Sequence, residues 1–272
     1  MTLFYYGLET SGTDKLLNGG HIERACISAA ILWNRKRGRF RKWRPGRIDC
    51  LGVDCGGFHH AVRERGFPFG PEDLALLAEA LGAEWVATMD FPCEPEVTRQ
   101  AGETNLDRVR ATVANAGACL AIRGPRWLPV VQGMAVGEYL ECVRQLESAG
   151  AVRDYMAVGS LCVRKSRRGT AAVLRAVRRV LPDARLHGFG VDLRLLRDRE
   201  IRHLLYSADS QAWHFAPSGM LPKGRRYVAD DAEKVAAFAD YRRRVEAALR
   251  EPATTLDRWT GPDPVPATRP GE

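Results

Sequence analysis

The sequence predicts a parallel α/β barrel. Short apolar runs alternate along the chain with amphipathic segments of helical length, the pattern of a parallel sheet with crossover helices. No Gly-x-Gly-x-x-Gly turn follows the first run, which speaks against a dinucleotide-binding sheet. Several runs stop on an aspartate, a glutamine or a glycine, and in a barrel all such strand ends open on one face. With 272 residues, 45% hydrophobic and 27% charged, the chain can bury a full core.

In chain order, residues 3–8 form the first predicted strand. Residues 22–33 show helical spacing at Ile22, Cys26, Ala29 and Ala30 and are predicted helical. Residues 35–47, R-K-R-G-R-F-R-K-W-R-P-G-R, interleave eight basic residues with Phe40 and Trp43. That mixture suits phosphate contacts beside a stacking surface. Arg35, Lys36, Arg37, Arg39, Arg41, Lys42 and Arg44 are therefore candidate nucleic-acid ligands, the alternative being a solvated charged loop.

The run Ile48-Asp49-Cys50-Leu51-Gly52-Val53-Asp54 is too short for a helix and stops at Gly56-Gly57. It is read as a buried strand presenting Asp54, with two glycines that let a flat ligand approach the backbone. Gly70-Pro71-Glu72-Asp73 opens a helix with proline in its first turn and acids at its positive end. Leu74, Leu77 and Leu81 face inward, and Gly82 ends it.

Residues 85–90 form a strand closing on Asp90. Residues 105–118 are helical, with Leu106, Val109 and Val113 on one side. Residues 127–133 form a strand ending Gln132-Gly133, and 136–149 a helix carrying Leu140, Val143 and Leu146. Residues 155–161 form a strand with Gly159 near its end, 171–181 a helix, and 185–191 a further strand. Residues 201–207 lead into Ala208-Asp209-Ser210, and 230–250 form a long amphipathic helix. Residues 1–250 are read as one catalytic barrel domain and the Pro/Thr/Gly-rich stretch 251–272 as a disordered tail.

Composition narrows the function classes. No run approaches the length of a membrane span, and the first ten residues lack a basic segment followed by an apolar one, so a cytoplasmic, non-membrane protein is expected. Seven cysteines without a C-x-x-C pair argue for reduced thiols over a disulfide framework. A net charge of +8 and a pI near 9.3 favour a polyanionic partner. Asp54, Asp90, Gln132, Gly159 and Asp209 each end a different predicted run. Spare carboxylates beside an amide suit recognition of a purine-like ring and covalent exchange of a bond.

The ordered series V-D-C-G-G-F (53–58), M-D-F-P-C (89–93), V-V-Q-G (130–133), V-G-S-L (158–161), H-G-F-G (187–190) and S-A-D-S-Q-A-W (207–213) resembles the tRNA-guanine transglycosylase superfamily, most of all its branch that inserts deazapurines into DNA. The resemblance implies a TIM-type barrel and the exchange of guanine for a 7-deazaguanine such as preQ0. It implies that Asp209 is the nucleophile at C1′ and Asp54 the general acid/base. Asp90, Gln132 with the adjacent Gly133, and Gly159 then correspond to base-recognition positions, with Met156 and Phe189 as apolar walls. The implied partners are DNA, with tRNA as the alternative, a free 7-deazaguanine base, and accessory proteins of a DNA-modification system; no cofactor is implied.

The pattern also departs from that superfamily. A structural zinc site of three cysteines and a histidine usually follows the nucleophile, yet Cys162 is the last cysteine here and only His214 follows Asp209. No zinc module is expected, and the long helix at 230–250 is expected to take over part of its packing. Two other readings belong to different classes: a metal-dependent hydrolase using Asp54, Cys55, His59, His60 and Cys93, and a non-catalytic nucleic-acid-binding subunit. Retention of both Asp54 and Asp209 argues against the second.

Overall fold

Eight parallel strands wind around a common axis with helices between them. The computed structural model describes residues 2–8, 21–44, 46–63, 66–164, 166–215 and 231–250, with backbone alone at 61–63, 214, 215 and 231. The strands are β1 (Leu3–Leu8), β2 (Ile22–Ser28), β3 (Ile48–Asp54), β4 (Trp85–Ala87), β5 in two halves (Trp127–Leu128 and Val130–Val131), β6 (Tyr155–Val158), β7 (Arg185–Gly188) and β8 (Ser207–Ser210). Each pairs in parallel with the next in sequence, and β8 returns to β1. The first half of β5 bonds to β4 and the second half to β6. Pro129, which has no N–H to give, lies where the strand changes partners.

Alternation along each strand separates two cores. Tyr5, Cys26, Trp85, Ala87, Leu128, Val130, Tyr155 and Ala157 point into the barrel. Phe4, Tyr6, Ala25, Ile27, Leu51, Val53, Val86, Val131, Met156, Val158, Leu186 and Ala208 point outward into the helical layer. The interior is packed, as barrel interiors are. A Cβ on Gly52 would lie 2.1 Å from the Trp85 ring, so that glycine makes room for the indole. Tyr5 reaches across to donate to Glu84 Oε2 at 2.7 Å.

β2 corrects the helix expected over 22–33. Only Ala29–Leu32 is helical, and Ile22–Ser28 pairs with β1 and β3. A strand buried on both faces loses the polar alternation that would betray it, and its apolar positions mimic a helical stripe. The helix Asn105–Leu120 also differs in face: Leu106 is exposed, while Arg108, Val109, Thr112, Ala116 and Cys119 are buried. Thr104 caps it, accepting from the Asp107 N–H at 3.2 Å while Asp107 accepts back from the Thr104 N–H at 3.1 Å. The helix Pro71–Leu81 matches its expected bounds, ending on Gly82 at φ +60°.

The basic stretch folds as an antiparallel hairpin, Trp33–Asn34 against Arg39–Phe40. Phe40 packs on Trp33 and Phe69, with ring centres 5.1 and 4.9 Å away, and Trp43 lies against the outer core. The aromatic residues anchor the hairpin with part of each ring's surface left open. Arg35, Lys36, Arg37, Arg39, Arg41, Lys42 and Arg44 stand exposed. The helix Asp231–Arg250 lays Phe238 and Tyr241 on Tyr6 and Phe4 and buries Val245, covering the outer face of β1. The expected tail at 251–272 lies outside the described residues.

Candidate active site

Asp54, Gln132, Gly159, Phe189 and Asp209 all carry inward parity at the ends of their strands, so the alternation of five separate strands delivers them to one mouth. Asp54 is partly buried. Its Oδ2 accepts from the Gly56 N–H at 3.1 Å, and Ser28, its partner across the sheet, also hydrogen-bonds the carboxylate. Burial, then the charges of Asp90 and Asp209, push this carboxyl up to about 7 despite those two hydrogen bonds. Donor atoms of Asp54, Cys55 and Asp90 all lie within 4.8 Å of one another, so the first two acids share one site.

Asp90 is buried. Its Oδ1 accepts from the Cys55 thiol at 2.9 Å and its Oδ2 from Gln132 Nε2. Burial raises its carboxyl above the usual carboxylate range, and the hydrogen bonds from Cys55 and Gln132 oppose the rise. Gln132 is held from its other end by Ser160, whose hydroxyl donates to Oε1 at 2.8 Å. Ser160 is the one non-glycine residue with positive φ among those described, at +53°, and it also accepts from the Cys93 N–H at 3.2 Å. A residue held in a sparsely populated conformation beside a carboxylate pair is the kind of strain found at functional sites.

Beside Ser160 lies Glu94, a residue that no sequence pattern singled out. It is only 4% exposed, its Oε2 finds no hydrogen-bond partner among the described residues, and burial raises its carboxyl. Arg108 braces the 90–94 loop from behind, donating to the Pro92 carbonyl and pairing with Glu103 at 2.6 Å. Nothing in the composition marks Glu94 or Arg108; only folding the loop back over the barrel end brings them in.

The glycines serve packing. A Cβ on Gly57 would lie 2.3 Å from the Asp90 carbonyl, and one on Gly56 2.6 Å from Ala30 Cβ, with φ at +83°. They admit neighbouring backbone, where the sequence suggested room for a ligand. Gly159 likewise leaves space for Gln132, whose Nε2 would be 2.3 Å from an added Cβ. Its carbonyl accepts from the Tyr139 hydroxyl at 2.8 Å and its N–H bonds to Val131. Gly133 abuts the start of the helix Val136–Ser148, where a Cβ would meet Tyr139 N at 2.7 Å.

Met156 does not reach the mouth. It sits one residue out of phase with Tyr155 and Ala157 and packs in the outer layer, so it cannot wall a base there. Phe189 does face inward, partly exposed, with its ring centre 4.7 Å from that of His187.

Asp209 Oδ1 accepts from the Gly190 N–H at 2.9 Å and lies 3.5 Å from His187 Nε2. Gly190 adopts φ +67°, and an added Cβ would sit 2.6 Å from Cys162 Cβ, so both the conformation and the close approach call for glycine. Trp213 Nε1 donates to the Gly7 carbonyl at 2.7 Å, fastening the segment after β8 to β1.

The five residues of the alternative metal set do not gather. The one group of metal-type donors among the described residues is Asp54, Cys55 and Asp90. His60 instead packs among Phe67 and Phe69, and Cys93 Sγ faces the Phe91 and Asn105 carbonyls at 3.8 Å. Burial holds the Cys55 thiol well above its usual range, so it donates to Asp90 as a protonated thiol.

Beside the mouth runs a cleft of about 610 Å³ lined by Ala30, Ile31, Trp33, Asn34, Arg35, Lys36, Arg41 and His59. It joins the basic hairpin to the helix that follows Asp54.

A parallel barrel whose strand ends bring an amide and three carboxylates together, beside a basic cleft, defines an α/β-barrel protein of the tRNA-guanine transglycosylase type. The chain belongs to the family described as DpdA, deoxypurine in DNA protein A, whose family model matches residues 21–266. Membership supports a role as a guanine transglycosylase acting on DNA in deazapurine modification. The comparison with curated proteins gave no match. Among the described residues no helix is long and apolar enough to cross a membrane.

Proposed function

We propose that this chain replaces guanine in DNA with a 7-deazaguanine base, preQ0-like in size, through an ester between Asp209 and the deoxyribose. Asp209 attacks C1′ as the bond to guanine breaks, and protonated Asp54 gives its proton to the departing purine. Asp54, now ionised, takes a proton from the incoming base, whose nitrogen attacks C1′ and releases Asp209. Atoms and charge balance over the cycle, and the strand is never cut. A base stacked in duplex cannot reach such a pocket, so the nucleotide enters flipped or from a single strand. Asp90 and Gln132 read the edge of the base, Phe189 lies against its face, and Arg35, Lys36 and Arg41 hold flanking phosphates.

The observation carrying this reading is the gathering of Asp54 beside Asp90 at the strand ends that also present Gln132 and Asp209. Burial and the neighbouring charges raise the Asp54 carboxyl to about 7, where one side chain can serve as acid and base in turn. The test is incubation with labelled guanine and either DNA or tRNA. Label entering DNA, and lost in Asp209→Asn while DNA binding persists, supports the proposal. Label entering tRNA alone transfers the chemistry to RNA, and wild-type exchange by Asp209→Asn removes the nucleophile assignment.

A further inference from the structure

Behind Asp209 a line of polar groups runs through an otherwise apolar barrel interior. The Tyr155 hydroxyl lies 2.6 Å from Ser207 Oγ, Ser207 Oγ lies 2.8 Å from His187 Nδ1, and His187 Nε2 lies 3.5 Å from Asp209 Oδ1. His187 is fully buried, ringed by Trp85, Phe189, Tyr5 and Tyr155 at 4.7 to 6.4 Å between ring centres. Its Nε2 makes no hydrogen bond among the described residues, with Asp209 Oδ1 standing 3.5 Å away. Leaving a buried polar atom without a partner is costly, so its presence here calls for a reason.

We propose that His187 is the positioning residue for Asp209: its Nε2–H, together with the Gly190 N–H, occupies Oδ1 and leaves Oδ2 as the oxygen that bonds to the sugar. This rests on the reading of Asp209 as nucleophile. The distances allow either direction; in the proposed one Tyr155 donates to Ser207 and Ser207 to Nδ1, which puts the ring proton on Nε2, facing the carboxylate. The 3.5 Å gap is long for a hydrogen bond, and such contacts shorten when the reacting partner is in place. As the ester forms, Oδ1 becomes its carbonyl oxygen and keeps both donors. When the incoming base releases the ester, negative charge returns to the carboxylate while two fixed N–H groups already point at Oδ1. No proton moves on His187 in either half.

Two replacements separate the role from simple packing. His187→Leu fills similar space without a donor, and His187→Gln carries an amide N–H near the position of Nε2. Losing one such donor is expected to slow exchange about 100-fold in kcat, with the KM for guanine within about twofold. The glutamine variant is expected to recover to within about tenfold of wild type. Wild-type kcat in His187→Leu, alongside an inactive Asp209→Asn, overturns the positioning role and leaves the nucleophile standing. Exchange by Asp209→Asn overturns the nucleophile reading instead.

Should circular dichroism show His187→Leu unfolded, Ser207→Ala decides. It frees Nδ1 and is expected to lower kcat about tenfold, with no further loss when combined with His187→Gln. Additive losses in that pair, or unchanged kcat in Ser207→Ala, overturn the proposal.

Discussion

Gln132 and Asp90 are bonded to each other across two strand ends, with Gln132 Nε2 donating to Asp90 Oδ2 while Ser160 holds Gln132 Oε1 at 2.8 Å. The side chains that read a base are thus pre-set by their neighbours, which lowers the ordering cost of binding.

Gln132→Leu removes a donor from a buried carboxylate and an acceptor from Ser160. The expected loss is about 1–3 kcal/mol of stability by urea unfolding. The KM for free guanine rises at the same time; an unchanged KM would separate Gln132 from the base.

Gly159→Ala places a methyl where the Gln132 amide lies, 2.3 Å away, at a backbone conformation open to any residue. The amide must leave Asp90. Base affinity is expected to fall about tenfold, equal to about 1.4 kcal/mol, with the barrel intact by circular dichroism.

Asp54 makes stability depend on pH. Its carboxyl titrates near 7 in the folded chain and near 4 when unfolded, so the fold binds the proton more tightly. This contribution is complete below about pH 4 and is lost as pH rises to about 7, amounting to up to about 4 kcal/mol. Unfolding at pH 5 and pH 8 should show wild type losing more stability over that interval than Asp54→Asn. The same variant is expected to lose exchange at both values.

Replacing Arg35, Lys36 and Arg41 by glutamine is expected to weaken DNA binding and flatten the dependence of log K on log salt, by roughly one unit for each phosphate that is no longer neutralised. Filter binding across a salt series measures it. Activity at saturating DNA should change little, because the three line the basic cleft and their proposed contacts are with phosphates.

Most of the barrel is readable in the sequence because its runs stop on turn-forming or polar residues, and the series ending in Asp54, Gln132 and Asp209 marks the mouth. β2 is not readable. Ala25, Cys26 and Ile27 at its centre are buried on both faces, and nothing in so short an apolar run distinguishes it from a core helix.

Strand parity alone removes Met156 from the mouth. Gly159 and Met156 stand three apart on one extended run, so both cannot face inward. Glu94 carries no such signal, and Ser160 and His187, though they lie in the runs 158–161 and 187–190, are not singled out within them. Their importance comes from a loop crossing the barrel end, a left-handed backbone and a hydrogen-bond chain, all of which exist only in three dimensions.

Trp85, Tyr5 and Tyr155 fill the barrel interior, so nothing can pass through it and a base can reach the carboxylates from the mouth alone. In the proposed exchange the outgoing purine and its replacement must use the same doorway, one after the other. The two bases therefore exclude each other by occupancy. Released guanine should act as a competitive inhibitor toward the deazapurine, and the reaction's direction should follow their relative concentrations.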